Sequence, residues 1–299
     1  MFVTGATGAL GQHAVPALLA AGHAVSGLAR SPESAAWLDR AGARPVRVSL
    51  FETEALTEAF DGHDAVLNLA TAIPSMARYG LARAWRANAR IRTEGSTAVT
   101  DAALAAGVPH LVQESIVMTY PDRGAEWIDE GIPIEPFPIT RSTPVAESNA
   151  QRFTDAGRTG VLLRFGLFYG PQADLSTLMV RLARWRVGVL LGAKDGYFSS
   201  IHLADAGAAV VAALDAPAGI YNVVDDEPLT KREYVDAVAD AVGRKPWLRG
   251  PGRLSRLGGA NMSAVNRSIR VSNRRFRDAT GWAPRYPSAR EGYRALVAG

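Results

Sequence analysis

Apolar positions along this chain follow two rhythms that take turns. Short strand-like runs rich in apolar residues occur at Met1 to Val3, His23 to Ala29, Pro45 to Leu50, Ala65 to Ala70, His110 to Ser115 and Gly160 to Phe165. Between the runs the spacing becomes helical. Leu10, Val15, Leu18 and Leu19 form one stripe closed by Gly22, an acidic-faced helix spans Thr53 to Phe60, and a longer one passes through Trp85, Asn88, Ile91 and Gly95 to Ala106-Gly107. Strands alternating with helices at this interval predict an α/β fold: a doubly wound parallel sheet of the Rossmann type.

The first strand-to-helix turn reads Thr4-Gly5-Ala6-Thr7-Gly8-Ala9-Leu10-Gly11. Gly5 permits the tight turn, Gly8 lets the backbone approach a pyrophosphate, and Gly11 lets the helix lie close to its strand. The helix start adds unpaired N–H groups that face the anion. Gly5, Thr7, Gly8, Ala9, Leu10 and Gly11 are therefore candidate cofactor residues. Arg30-Ser31 follows the second strand, where an adenosine ribose is met; a guanidinium and a hydroxyl in place of a carboxylate suit a 2′-phosphate, hence NADP. Leu69, Ala70 and Thr71 end the fourth strand at the edge where such sheets take ligands.

Composition narrows the class. The chain has 299 residues, 47% hydrophobic and 21% charged, with no cysteine, which removes disulfides, thiolate–metal sites and a Cys nucleophile. With no basic-apolar leader and no apolar run near the length that spans a bilayer, a cytoplasmic protein is expected, with neither membrane nor nucleic acid as partner. The five histidines show no metal-ligand spacing. The net charge of +4 conceals an asymmetry: from Ala241 onward 13 basic residues face two acidic ones. Such a tail is either a solvated face balancing an acidic one or a region that binds an anionic substrate.

These segments, with Asp61-Gly62-His63-Asp64-Ala65-Val66-Leu67-Asn68-Leu69-Ala70, Leu163-Arg164-Phe165-Gly166-Leu167-Phe168-Tyr169-Gly170-Pro171, Ile201-His202-Leu203-Ala204-Asp205 and Gly219-Ile220-Tyr221-Asn222-Val223, resemble the extended short-chain dehydrogenase/reductase family of nucleotide-sugar epimerases and dehydratases. The resemblance implies an NADP-binding domain over residues 1–170, rejoined by 196–224. It also implies a small substrate-binding region from 171–195 and 225–299, frequent homodimers, and cofactor contacts that include Arg164 and Tyr169. The family's Tyr-x-x-x-Lys pair is missing. Counting back from Ala146-Glu147 puts Ile139 and Thr143 at the two places, with Thr143 expected to cap a helix that opens at Pro144; a shifted frame gives Phe137 and Arg141.

Counting from Tyr120, the family's Ser/Thr place falls on Ile116, or on Ser115 if the frame slips by one. Candidate proton donors are Tyr120 first, then Ser115 and Glu114. A carboxylate inside a parallel strand is either a functional acid or paired with an arginine such as Arg164. His202 and Asp205 read as structural, and Trp185, with Leu178, Arg181 and Leu182, as pocket wall or core. The leading function is an NADP-dependent oxidoreductase, a reductase rather than a dehydrogenase, acting on a small anionic or aromatic metabolite. The alternatives are a non-redox isomerase, epimerase or cyclase, and a cofactor-binding regulatory protein without chemistry.

Overall fold

In the computed structural model, which describes residues 1–75, 78–252 and 263–298, the chain opens with β1 (Phe2–Thr4), α1 (Gly11–Ala20), β2 (Ser26–Leu28), α2 (Pro32–Ala41), β3 (Arg44–Val46), α3 (Thr53–Phe60) and β4 (Ala65–Asn68). Next, α4 (Arg86–Arg90), a π-helical turn at Ile91–Gly95 and α5 (Ser96–Ala105) follow one another and lead to β5 (His110–Ile116). The short β6 (Trp127–Ile128) precedes α6 (Thr143–Asp155) and β7 (Thr159–Phe165). The remainder comprises β8 (Leu167–Tyr169), α7 (Asp174–Arg184), β9 (Val187–Leu191), β10 (Tyr197–Phe198), β11 (Ser200–His202), α8 (Leu203–Ala212), β12 (Gly219–Val223) and β13 (Leu229–Thr230). It ends with α9 (Lys231–Val242), β14 (Leu248–Gly252), α10 (Ser263–Asn266), β15 (Arg270–Val271), α11 (Arg274–Thr280) and α12 (Ala289–Ala298).

Seven strands form the central sheet in the order β12-β7-β5-β4-β1-β2-β3, and every pairing in it is parallel. One cross-sheet row, Val3, Leu67, Val112 and Val161, is apolar and buried under α1 and α8. On the other face Phe2, Phe60, Leu111 and Phe153 pack with α3, α5 and α6. The expected β3 continued to Leu50, but it pairs only over Arg44–Val46. It lies at the sheet edge and contains Pro45, which has no N–H to donate, so little holds residues 47–50 in the ladder.

A third apolar cluster, with Tyr169, Met179, Tyr234, Val238 and Tyr293, ties α7, α9 and α12 together beyond the carboxyl ends of the strands. Phe276 and Trp282 belong instead to the core of α1 and α8, so the segment around α11 returns to the sheet and was not separable from the sequence pattern. Much of the basic tail meets acids: Arg267 with Glu135, Arg277 with Asp226, Arg290 with Glu227 and Glu233, and Arg249 with Asp236.

Candidate active site

The turn after β1 has the shape its glycines demand. Gly5 adopts φ +66°, and a Cβ there would lie 2.5 Å from the Leu69 carbonyl oxygen, so the end of β4 passes directly against the loop. A Cβ on Gly11 would collide with the Gly5 and Ala6 carbonyls. Gly8 and Ala9 are exposed, and a Cβ on Gly8 would meet only the Gly5 oxygen at 3.3 Å, leaving the outer side of the turn open. This cradle fits a dinucleotide pyrophosphate at the start of α1.

Thr7 is half-buried in the same loop and Leu10 is buried beneath it. Leu69 is likewise buried, so β4 offers backbone there, while Ala70 and Thr71 are half-exposed. Arg30 is exposed at the end of β2, and no hydrogen bond or ion pair holds its guanidinium among the described residues. Ser31 is otherwise engaged. It is the N-cap of α2, its Oγ accepting from the Ser34 N–H at 3.2 Å.

The three residues expected to move protons are structural in this geometry. Glu114, buried in β5, receives two hydrogen bonds from Nη2 of Arg92 at 2.7 and 2.8 Å. Its partner is thus Arg92, on the π-helical turn, rather than Arg164. Burial pushes the Glu114 carboxyl up from its ordinary range, and the Arg92 charge opposes that. Ser115 is buried and donates from Oγ to Glu147 Oε1 at 2.6 Å. Tyr120 is fully buried; its hydroxyl donates to Asn222 Oδ1 at 2.9 Å and accepts from Arg164 Nη1 at 2.8 Å. Burial raises its pKa against the lowering effect of Arg164. A sealed phenol with both hydrogen-bonding directions satisfied is a poor donor to a substrate.

Arg164 and Tyr169, expected at the cofactor, are engaged within the protein. Arg164 grips Glu147 of α6 through Nε at 2.9 Å and Nη2 at 2.6 Å, both side chains nearly buried. Burial alone would lower its pKa; the Glu147 carboxylate and Tyr120 hydroxyl outweigh that and hold it raised. Tyr169 is fully buried, stacks on Tyr293 at 5.3 Å and donates to the Ser288 carbonyl at 3.1 Å. His202 and Asp205 are structural as expected: His202 Nδ1 accepts from the Ala204 N–H, and Asp205 accepts from the Arg285 and Tyr286 amides.

At the places that resemble the family's Tyr and Lys, Ile139 packs with Trp85 and Phe137, and Thr143 is the first residue of α6 rather than its cap. The Thr143 hydroxyl is buried and has no hydrogen-bond partner. With Ser115 turned to Glu147, half-buried Ile116 holds the neighbouring place at the end of β5.

Beyond the strand ends lies a small apolar cavity of about 80 Å³. Tyr79 from the loop after β4, Met118 after β5 and Leu167 in β8 form its sheet side, with Leu175 and Met179 of α7, Val189 and Leu191 of β9, Phe198 and Tyr234 opposite. Tyr79 and Met118 also pack on the cluster of Trp85, Phe137 and Ile139. Trp185, expected as wall or core, is 75% exposed, and the α7 wall is Leu175 and Met179 instead. Tyr79 and Arg92 were missed by sequence reasoning. Neither carried a clear signal in the sequence: Tyr79 lies eleven residues beyond β4, and Arg92 follows Arg83, Arg86 and Arg90 in an arginine-rich stretch.

A family model described as NAD(P)H-binding matches residues 5–136. The chain is 32% identical, over 98% of both sequences, to the 3-diazoavenalumate denitrifying reductase of a Streptomyces species. It is 28% identical to the 4-hydroxy-2-methyl-3-oxo-4-farnesyl-3,4-dihydroquinoline-1-oxide ketoreductase of Stigmatella aurantiaca, over 82% of this chain and 73% of that one. Among solved structures, a human epimerase family protein with NADPH superposes with TM-score 0.84 at 21% identity, over 100% of this chain and 99% of that one. The chain belongs to the NAD(P)-dependent short-chain dehydrogenase/reductase superfamily, and its fold is shared with the epimerase family protein. It is an NAD(P)-dependent oxidoreductase, and its sequence contains no Tyr-x-x-x-Lys pair. Among the described residues no His, Cys, Asp and Glu cluster could hold a metal, and no helix is long and apolar enough to cross a membrane.

Proposed function

We propose that this protein is an NADPH-preferring reductase of small aromatic or otherwise apolar carbonyl compounds. The observation that carries the reading is the cavity at the carboxyl ends of β4, β5 and β7, walled by Tyr79, Met118, Leu167, Met179 and Phe198. Such a wall rewards burial of a ring and gives little to a sugar, whose hydroxyls would lose water without finding partners. Both similar proteins named above are reductases. NADPH preference rests on Arg30 alone, since the Ser31 hydroxyl serves α2. When bound, the nicotinamide supplies a hydride. The chain's residues bind the dinucleotide through Gly5 to Gly11, exclude water from the reacting carbon with the apolar wall, and orient the ring against it.

A second reading is favoured by the likeness to a denitrifying reductase: hydride takes the place of dinitrogen on a ring carbon, and the N₂ leaves with the C–N bonding pair, so no acid is needed. A panel of aryl ketones, an arenediazonium salt and nucleotide sugars, run against stoichiometric NADPH, separates the readings. Oxidation of NADPH by aryl ketones supports the first, and oxidation by the diazonium salt alone, with N₂ released above the protein-free rate, the second. Product without change at the nicotinamide absorbance would make the protein an isomerase, and binding without product a regulator.

A further inference from the structure

Carbonyl reduction needs a proton as well as a hydride, and the residues that resemble the family's relay cannot give one. Ile139 and Ile116 carry no acidic proton, and Tyr120, Ser115 and Glu114 are buried and bonded to Asn222, Arg164, Glu147 and Arg92. Among the cavity-lining residues, three have a proton to offer: Tyr79, Lys231 and Tyr234. Lys231 spends its ammonium on the Val265 and Arg267 carbonyls at 2.6 and 3.0 Å, tethering the segment around α10. Tyr234 is bonded to the Tyr293 hydroxyl at 3.2 Å deep in the tyrosine cluster. The Tyr79 hydroxyl has no hydrogen-bond partner among the described residues, and its half-buried side chain lines the cavity. A phenol at a cavity wall with no protein partner can give its hydrogen bond to a ligand there.

We propose that the Tyr79 hydroxyl is the acid of this site, donating a hydrogen bond and then its proton to the substrate oxygen that becomes negative as hydride arrives. The assignment rests on the reading of the cavity as the substrate site. Tyr79 follows β4, Met118 follows β5 and Leu167 follows β7, so the phenol stands with residues from three adjacent strands at the edge where parallel sheets bind ligands. Its ring is fixed in place. It meets Trp85 edge-on at 5.0 Å, and Trp85 Nε1 donates to the Tyr79 carbonyl at 2.8 Å. Rigid support of this kind is what an acid needs to be in position before the reaction.

The step balances. The hydride pair forms the new C–H bond, the C=O π pair moves onto oxygen, the Tyr79 O–H breaks and its proton closes the alcohol, and the phenolate recovers a proton from water. Burial pushes the Tyr79 phenol up to about 12. It therefore stays protonated at any working pH, yet remains a much stronger acid than the alcohol it makes. The same phenol is a poor base near neutrality, which sets the direction as reduction.

Tyr79→Phe keeps the ring and removes only the donor. With 2-acetylnaphthalene and NADPH, kcat of the purified variant should fall about 100-fold or more, while its Kd for NADPH stays within about twofold of wild type, as the phosphate cradle is untouched. Retention of kcat within about threefold, well short of the 10²–10⁴ range of a positioned acid, overturns the assignment while the cavity reading survives. A parallel titration with 2-naphthoate, whose carboxylate accepts a hydrogen bond, is made on NADP-saturated protein. Affinity about tenfold weaker in Tyr79→Phe is expected from loss of one hydrogen bond to a charged group. Should wild-type protein reduce no aryl ketone, the cavity reading falls, and equal naphthoate affinity in the two proteins overturns the donor role of Tyr79 by itself.

Discussion

Replacing Arg164 by Met tests whether the polar cluster at the end of β5 is scaffold or cofactor site. The guanidinium gives two bonds to Glu147, at 2.9 and 2.6 Å, and one to Tyr120 at 2.8 Å; Ser115 gives Glu147 a third at 2.6 Å. The side chains of Arg164 and Glu147 are 5% and 10% exposed, so solvent screens the pair little. Removing the arginine strands a buried carboxylate, and breaking such a pair costs about 3–5 kcal/mol, a large part of the roughly 5–15 kcal/mol that holds a domain folded. Glu147→Leu strands the guanidinium at similar cost. The double variant strands neither charge, leaving only Ser115 and Tyr120 short of a partner, at about 1–3 kcal/mol each. Urea unfolding of the four proteins should therefore show a double variant losing about 4 kcal/mol less than the sum of the two singles. NADPH affinity of folded Arg164→Met should stay within about threefold. Additive losses, singles costing under about 1 kcal/mol, or a collapse of NADPH binding with stability intact would refute the scaffold account.

Tyr120→Phe should keep turnover within about threefold and cost about 1–2 kcal/mol in urea; a loss of 10²-fold or more in kcat would restore it as the proton donor. Arg30→Ala should lower the NADPH-to-NADH affinity ratio by about tenfold, whereas Ser31→Ala should cost about 1 kcal/mol of stability through the lost cap and leave the ratio alone; titration of both cofactors distinguishes the two. His202 is held neutral, its pKa pushed down to about 4 by burial first and then by the charges of His13 and Arg285. The unfolded chain takes up that proton near pH 6.5. The contribution is therefore complete above that pH and lost as pH falls towards 4, about 3 kcal/mol in all. His202→Asn can still cap α8 and should unfold with a shallower dependence on pH over that window; identical slopes would exclude His202 as the titrating group.

The sheet was legible because its strands are buried on both faces and its helices on one. The two periodicities therefore separate the elements without knowledge of the rest, and Thr53 to Phe60 falls where the pattern put it. The phosphate turn was legible for a related reason: a backbone with Gly5 at φ +66° against β4 admits few residues. The acid of the site was not. Tyr120 lies just past a strand, as a donor should, but whether a phenol faces a cavity or Arg164 depends on packing between segments far apart in sequence. Glu114 was recognised as anomalous in its strand, yet its partner Arg92 lies 22 residues away, across a π-helical turn that periodicity does not announce. The cavity wall was invisible because Met118, Leu175 and Met179 read as ordinary core.

The central claim is that hydride passes from a nicotinamide bound at the glycine turn to a carbonyl carbon held in the apolar cavity. Single-turnover reduction of 2-acetylnaphthalene with NADPH carrying deuterium at either the pro-R or the pro-S position of C4 tests it most directly. One epimer should slow the absorbance decay and deliver its label to the carbinol carbon, and the other should do neither. Product without label from either epimer, or no product while NADPH stays bound, would contradict the account.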